Sequence, residues 1–364
     1  MNITQNGNAL KIIAFFLVGV ILLCLFGFTV DGWQLDNQNN DPSKETTDAP
    51  SVENTVPKDP EPEIYIPEFV DPLTGIETNV ELSNRKHLAF IIDAESPLYG
   101  ISNSDIIIEF PIESGHTRLA CITNEFSEIG KIGSLSKTKD YISNVVSSFG
   151  SIIVANGKDS SPSYDFPITD TEIIDLDVQK ENKYTEFNVY TYSNGALISS
   201  ALKNSIMNDT YDIFPTLPYI FPDFGQEKIK GESVFNSINI PYSKDNIISF
   251  EFDQEKTTYI YSRNNTPIID LLNGNSLNFT NCLVLFAASV TYEDSNGLEM
   301  VLKTNSYGSG YYLTDGTAKE ITWEYSGVSS LTFYDLDGTK LVINRGTTYM
   351  AFVKSSEKNL VTLS

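Results

Sequence analysis

Two glutamates in one predicted strand, Glu109 and Glu113, have the side chains best suited to acid/base chemistry. Glycosidases use such a pair, one carboxyl as acid and the other as nucleophile or base. In a straight strand both would point to the same face, roughly 13 Å apart at about 3.3 Å per residue. Glycosidase pairs need about 5 to 9.5 Å. The two glutamates are therefore too far apart unless Pro111 bends the strand, and a pairing of Glu109 with Asp93 across strands stays open.

A structural role is the simpler interpretation of these carboxylates. They would form a solvated or salt-bridged face, with Arg118 or Arg85 nearby, opposite a row of apolar residues that packs into the core. The chain contains no Gly-x-Ser-x-Gly, no His-Glu-x-x-His, no phosphate loop and no Cys-His signature. We therefore expect no catalytic residue. Glu109, Glu113 and Asp93 are the candidates if the protein is an enzyme.

The chain's histidines, His87 and His116, lie near the ends of adjacent predicted strands. Together with Asp93 or Glu113 they would form a metal site or an acid/base pair. No ligand motif accompanies them, so the sequence predicts neither a metal nor a cofactor. The phrase at residues 335–338, Asp-Leu-Asp-Gly, begins like a calcium loop but lacks the later acidic ligand, which favours a hairpin turn.

Seven residues at predicted strand ends and helix starts are the best candidates for a binding pocket. They are Gly115, Thr117, Arg118, Lys137, Lys139, Asn156 and Gly157. Open sheets bind ligands at such positions. The arginine and the lysines would hold a carboxylate or phosphate of an envelope polymer. Ordinary loop chemistry is the alternative.

An apolar run at residues 9–30 is interrupted by one charge, Lys11. At about 1.5 Å per residue its uncharged part nearly spans a hydrocarbon core of roughly 30 Å. Positive charge precedes the run and acidic residues follow it, which favours a cytoplasmic N-terminus. We predict that residues 1–30 are a single-pass anchor in the cell membrane, with the body on the extracytoplasmic side. A cleaved signal peptide and a lipoprotein modified at Cys24 are the alternatives.

The chain is strongly acidic, with 24 Lys+Arg against 48 Asp+Glu and a net charge of −24. This argues against nucleic acid as a partner and against lying flat on anionic lipid. The acidic excess suits solubility or the binding of cations and basic partners. Residues 31–63 combine acidic residues with several prolines and are predicted to be a disordered acidic stalk. The 364 residues are enough for two folded domains.

The remaining chain is predicted to be α+β, with a mixed α/β domain at residues 64–228 and an all-β domain at residues 229–364. In the first domain we predict strands at 88–93, 105–113, 119–124 and 151–155, and helices at 136–149 and 196–207. After residues 222–225 the pattern changes to short strand candidates, among them residues 281–292 and 340–344, separated by turn pairs such as Asp315-Gly316. Whether the two halves share one sheet stays open. Cys121 and Cys282 are predicted to be buried free thiols, with a bridge between them as the alternative.

Several short phrases occur in an order that resembles the YerB-like family of envelope lipoproteins, a family of unknown function from Gram-positive bacteria. They are Pro72-Leu73-Thr74-Gly75, Asn84-Arg85-Lys86-His87-Leu88-Ala89, Gly100-Ile101-Ser102-Asn103-Ser104-Asp105-Ile106-Ile107-Ile108-Glu109, Glu113-Ser114-Gly115-His116-Thr117-Arg118, Lys131-Ile132-Gly133, Gly308-Ser309-Gly310-Tyr311-Tyr312, Thr322-Trp323 and Thr332-Phe333-Tyr334-Asp335-Leu336-Asp337-Gly338. The resemblance covers residues 72–353. It implies an envelope location and a body of two parts, but no established activity.

The chain departs from the family pattern at several positions. An apolar anchor takes the place of the lipidated cysteine, Ser136 stands where an arginine is expected, and His116 stands where the family has an apolar residue. A loop that resembles His-Ala-Gly-Gly in the family reads Ala-Asn-Gly-Lys at residues 155–158. Our first hypothesis is a non-enzymatic binding or scaffolding protein of the cell envelope, whose partner is an envelope protein or a cell-wall polymer. The second is a hydrolase or transglycosylase-like enzyme that acts on cell-wall glycan.

Overall fold

The computed structural model describes residues 64–159, 172–176, 184–186, 190–205, 207–294, 297–326 and 330–364. The predicted membrane anchor and acidic stalk lie outside these ranges. None of the helices within them is long and apolar enough to cross a bilayer.

The N-terminal region is mixed α/β, and three short helices are separated by two groups of four strands. Its helices are α1 (Val80–Asn84), α2 (Asp140–Ser147) and α3 (Gly195–Asn204). Its strands are β1 (Leu88–Asp93), β2 (Ile106–Pro111), β3 (Thr117–Thr123), β4 (Ile132–Gly133), β5 (Ile152–Ala155), β6 (Ile173–Asp175), β7 (Tyr184–Glu186) and β8 (Tyr190–Ser193).

The C-terminal part is largely β. Its strands are β9 (Ser233–Val234), β10 (Ser237–Ser243), β11 (Asn246–Asp253), β12 (Thr258–Arg263), β13 (Thr266–Pro267), β14 (Asn278–Phe279), β15 (Asn281–Ala287), β16 (Ser289–Asp294), β17 (Gly297–Leu302), β18 (Tyr307–Thr314), β19 (Thr317–Glu324), β20 (Thr332–Asp335), β21 (Thr348–Lys354) and β22 (Thr362–Leu363). Short 3-10 turns occur at Ile101–Asn103, Glu113–Gly115 and Ser355–Leu360.

One large sheet contains strands from both halves of the chain. Its order is β20-β19-β18-β15-β21-β2-β3-β1-β5-β6, with β9 beside β19. Strand β21 connects the two halves of this sheet, because it pairs in parallel with β15 on one side and with β2 on the other. Thr348 is in register with Asn281 of β15 and with Ile106 of β2. The two halves therefore share one sheet, which answers the question that the sequence left open.

A second, antiparallel sheet, with the order β13-β12-β11-β10-β22, covers one face of the large sheet. On that face Phe90, Ile107 and Tyr349 share a buried core with Phe250 and Tyr261 of the second sheet. The rings of Phe250 and Tyr349 lie 4.7 Å apart, and those of Phe250 and Tyr261 lie 5.3 Å apart. Packed aromatic rings of this kind carry much of the energy of a core.

The other face of the large sheet is buried as well. There Phe110 and Phe352, on neighbouring strands, stack with ring centroids 5.2 Å apart, and the buried residues Tyr141 and Val145 of α2 pack against them. The apolar spacing in α2 agrees with the helix predicted at residues 136–149, although α2 itself is shorter than that range. Gly150 ends the helical pattern with a left-handed backbone (φ 65°), a conformation that glycine adopts without a steric penalty.

The predicted strands of the first half correspond to β1, β2, β3 and β5, and the predicted helices to α2 and α3. The apolar run at residues 281–292 was expected to be one strand but divides into β15 in the large sheet and β16 in a separate hairpin with β17. The candidate at residues 340–344 forms only isolated bridges. Asp315 and Gly316 do form a tight turn between β18 and β19, both with positive φ. Cys121 and Cys282 are buried free thiols.

Phe250→Ala is expected to lower the free energy of unfolding by about 3 to 5 kcal/mol, because it opens a cavity between the two sheets. Urea denaturation of the full-length chain in mild detergent measures this change. Tyr307→Ala is the control, since Tyr307 is 83% exposed and its loss should change stability by about 0.5 kcal/mol or less. Equal losses in the two variants would contradict the proposed packing of the sheets.

Candidate functional site

Three of the predicted pocket residues converge on one carboxylate. Arg118 of β3 donates to Asp159 at 2.7 Å, and the Nζ atoms of Lys137 and Lys139 lie 3.6 and 3.8 Å from the same carboxyl group. Arg118 is at the start of β3, next to the end of β1, and the loop that leads into α2 hydrogen-bonds to this end of β1. Residues from separate segments therefore meet here. The structure brings these three cations together around an acidic residue that the sequence analysis did not name.

Lys139 is the centre of this ion network. Its side chain is 1% exposed, and Nζ donates to Glu113 at 2.6 Å and to Glu299 of β17 at 2.7 Å. Glu113 also accepts the backbone N–H of Met300. Burial works against ionisation of Glu113, but the Lys139 and Met300 donors outweigh it and lower the pKa of Glu113. Burial likewise opposes the charge of Lys139, whose pKa is nevertheless raised by its hydrogen bonds to Glu113 and Glu299.

Glu109 lies in a different environment, between the large sheet and the second sheet. Its carboxylate is fully buried and accepts hydrogen bonds from Arg263 at 2.7 Å, from Tyr261 at 3.1 Å, and from Thr117 and Tyr349. Burial would lower the pKa of Arg263, but the adjacent Glu109 carboxylate raises it above its ordinary value. The Glu109 side chain is on the face opposite Ile106 and Ile108 of β2, as predicted, but this face is covered by the second sheet.

The two candidate catalytic glutamates are thus held in separate sets of partners. A general acid or nucleophile must exchange protons or bonds with a substrate. Glu109 accepts from four donors, and Glu113 is held by Lys139 and Met300, so the contacts of both carboxylates are structural. Asp93, the third candidate, accepts the backbone N–H of Glu95 and pairs in register with Arg118 across β1 and β3.

The remaining predicted pocket residues form loops. Asn156 donates to Thr191 at 3.1 Å, and the carbonyl of Gly157 accepts the N–H of Thr138. Gly115 has φ 79°, and a Cβ atom there would lie 2.6 Å from Ser243, so this position requires glycine. The contacts of these three residues are those of ordinary loops, which was the alternative to a binding pocket.

His87 and His116 do not form a common site. His116 is exposed and its Nδ1 lies 2.8 Å from Glu95. His87 is completely buried, with Nε2 3.0 Å from Asp71 and 3.6 Å from Asp105. We call Asp71, His87 and Asp105 the buried Asp-His-Asp cluster. Sequence reasoning named neither aspartate as a site residue, although Asp71 directly precedes one quoted phrase and Asp105 lies within another.

Hydrogen bonds fix the orientation of the buried Asp-His-Asp cluster. Tyr211 Oη lies 3.1 Å from Nδ1 of His87, and Asn124 donates to Asp71 at 2.9 Å. Burial would raise the pKa of Asp71, but its hydrogen bond with His87 and the charge of that residue lower it. Burial has the largest effect on Asp105. Together with repulsion from the Asp71 carboxylate, it raises the pKa of Asp105 well above its ordinary value. The two carboxyl groups therefore differ in acidity because of their surroundings.

An open cleft of about 360 Å³ lies elsewhere, at the segment between the two halves of the chain. We call it the Arg345 cleft. Its lining consists of Pro222, Asp223, Phe224, Gly225, Gln226, Glu227, Lys228, Lys256, Thr257, Thr258, Thr280, Asn344 and Arg345. Arg345 lies over the ring of Phe224 at 3.8 Å and donates to the carbonyl oxygens of Gly75 and Pro222 at 2.9 and 2.7 Å. Sequence reasoning treated residues 222–225 only as a boundary and did not pair them with Arg345.

Comparison with known proteins identifies the family. The family described as "Protein of unknown function (DUF3048)" matches through its N-terminal domain at residues 73–204 and through its C-terminal domain at residues 238–350. The crystal structure of the YerB protein from Bacillus subtilis is 20% identical, with a TM-score of 0.68, over 82% of this chain and 100% of that chain. The chain belongs to this YerB-like family of unknown function, as its sequence phrases indicated. At this identity the likeness to YerB shows the fold alone. No curated protein matches the chain significantly.

Arg263→Met is expected to lower the free energy of unfolding by about 3 to 5 kcal/mol, because it leaves the carboxylate of Glu109 buried without its counterion. Adding Glu109→Gln to this variant should recover part of the loss. Urea denaturation of both variants and the parent checks the order of stabilities. Lys244→Met, at a side chain that is 90% exposed, is the control. A loss no greater than that of the control would show that the buried ion pair is not needed.

Glu113→Gln is expected to flatten the loss of stability at acidic pH. The pKa of Glu113 is lowered in the folded chain, so its ionised form stabilises the fold above the unfolded-state pKa. That contribution disappears as the pH falls through the lower, folded-state pKa. Between about pH 5 and pH 3 the parent should therefore lose stability more steeply than Glu113→Gln. The measurement is the free energy of unfolding against pH, with Glu255→Gln, at an exposed position, as control. Parallel curves for parent and variant would show that the pKa of Glu113 is not lowered in the folded chain.

Proposed function

We propose that this protein is a non-enzymatic binding or scaffolding protein of the bacterial cell envelope. In this proposal residues 1–30 anchor it in the cell membrane, residues 31–63 space the body from the bilayer, and the body lies on the extracytoplasmic side. The ligand is an anionic cell-wall polymer, which the Arg345 cleft binds through a carboxylate or phosphate group.

The observation that carries the proposal is the position of Arg345 in an open cleft. Its guanidinium is held by backbone carbonyl oxygens and by the Phe224 ring, so its orientation is set before any ligand arrives. Arginine recognises carboxylate and phosphate with well-defined geometry, and such preorganisation lowers the entropic cost of binding. By contrast, the cations first predicted to bind a polymer, Arg118 and Lys139, are already paired with carboxylates.

The charges around the cleft support an anionic ligand. Lys228 and Lys256 join Arg345 in the lining, against Asp223 and Glu227, so the lining has one cation more than it has anions. Each of the two lysines also lies 3.7 Å from an aspartate outside the lining, which leaves Arg345 as the main cation for a ligand. The whole chain has a net charge of −24. A negative body repels an anionic polymer at most of its surface, so attraction would be limited to this cleft and would weaken with salt.

The envelope location rests on the apolar segment, the acidic stalk and the family resemblance. The segment at residues 9–30 is long and apolar enough for an anchor, and the charge distribution on its two sides favours an outward-facing body. Family membership adds the expectation of an envelope protein, since the resemblance is to envelope lipoproteins.

The double variant Lys228→Gln/Lys256→Gln should weaken retention on an anionic cell-wall polymer roughly five- to tenfold, or about 1 to 1.4 kcal/mol. Both lysines have only long ion pairs, at 3.7 Å, so their loss should leave the fold intact. The assay is a pull-down of the full-length chain, in mild detergent, on purified polymer at two salt concentrations. Arg345→Gln should reduce retention further.

The control is Lys203→Gln/Lys244→Gln, which changes the net charge equally at exposed positions outside the cleft. An equal loss in control and cleft variants would contradict specific binding in the cleft. If the parent is not retained at all, a cell-wall polymer is excluded and crosslinking in cells should identify an envelope protein. Release of soluble glycan fragments that stops with Glu109→Gln would instead establish the enzyme hypothesis.

A further inference from the structure

We propose that the buried Asp-His-Asp cluster is a binding site for a divalent transition-metal cation such as Zn²⁺. Its three donor atoms are Oδ2 of Asp71, Nε2 of His87 and Oδ2 of Asp105, and all lie within 4.8 Å of one another. Imidazole nitrogen and carboxylate oxygen are the ligands that Zn²⁺ and Mn²⁺ share in proteins.

The distances within the cluster suit a shared cation. Zinc ligands lie at about 2.0 to 2.2 Å from the metal. Two ligands that subtend angles of about 90° to 120° at the metal are then separated by roughly 3 to 3.7 Å. The Nε2 atom of His87 is 3.0 Å from Asp71 and 3.6 Å from Asp105, so both separations fall in this range.

A second observation concerns Asp105. Its Oδ2 atom is buried and has no hydrogen-bond partner among the described residues. Buried polar atoms nearly always have a partner, and such an exception requires an explanation. This oxygen faces Nε2 of His87, where a cation bound between them would satisfy it. The Asp105 side chain is still 22% exposed, which leaves a route for the ion from solvent.

The surroundings orient two of the three ligands, Asp71 and His87, as the outer shell of a metal site does. Oδ1 of Asp71 accepts the N–H groups of Leu73 and Thr74, which turns Oδ2 toward the imidazole. Nδ1 of His87 lies 3.1 Å from Tyr211 Oη, so a proton on Nδ1 has an acceptor while Nε2 keeps its lone pair for the metal.

The site would fasten the first described segment to the sheet. Asp71 belongs to the turn before α1, whereas His87 and Asp105 directly precede β1 and β2. A cation held by all three would stabilise the folded state, because the unfolded chain does not bring them together. Its role in this proposal is structural, and it is independent of the polymer-binding proposal.

The test is a Zn²⁺ titration of the full-length chain in mild detergent after treatment with EDTA. Calorimetry and elemental analysis after gel filtration should find one tightly held equivalent, and Tm should rise when Zn²⁺ is added. Asp105→Asn should weaken binding at least 100-fold, or about 2.7 kcal/mol. Because Oδ2 of Asp105 has no hydrogen bond, the metal-free variant should fold as well as the parent. His116→Asn is the matched control, which removes an exposed histidine beside a carboxylate.

Three results would overturn the proposal. They are the absence of a bound equivalent in the parent, unchanged affinity in Asp105→Asn, and loss of binding in the His116→Asn control. Co²⁺ gives a readout on the parent alone, independent of whether any variant folds. Its visible absorption bands should appear with one equivalent and disappear when Zn²⁺ is added. A strong thiolate-to-metal charge-transfer band would contradict the site, because it contains no cysteine.

Discussion

The parallel pairing of β21 with both β2 and β15 is the constraint on which the rest of the structure depends. It makes one sheet of two halves that the sequence pattern presents as separate. Because the sheet is continuous, the second sheet can cover residues of both halves and form a shared core. The ion network and the buried Glu109 both combine segments from the two halves, which this arrangement brings together.

The few arginines of this acidic chain connect segments that are distant in sequence. There are four of them, and each bridges separate segments. Arg85 lies over a phenylalanine ring, Arg118 and Arg263 pair with carboxylates, and Arg345 clamps the start of the described chain to the segment between the halves. Planar guanidinium groups suit such positions better than lysine, since they combine stacking with directional hydrogen bonds. Of these four, Arg345 is the one that lines an open cleft.

Local pattern was enough to predict most elements but not the sites. Alternation placed Glu109 opposite Ile106 and Ile108, and the Asp315-Gly316 pair marked a hairpin, because both signals depend on adjacent residues. The division between β15 and β16 was missed, since an unbroken apolar run does not reveal where a strand changes sheets. The partner of Glu109 was missed because Arg263 reaches it only through packing of the sheets. Similarly, nothing near His87 in the sequence indicates Asp71.

The position of β21 has a consequence for the order in which the protein acquires its structure. More than 200 residues separate β2 from β21, so the middle of the large sheet stays open until the ribosome has made that intervening chain and β21 itself. Long-range parallel pairing is also slow to form, because loop closure must precede it. Until β21 is inserted, the edges of β2 and β15 are exposed to pairing with other chains. The large sheet therefore cannot be completed before β21 has been made, and growing chains need protection from aggregation until then.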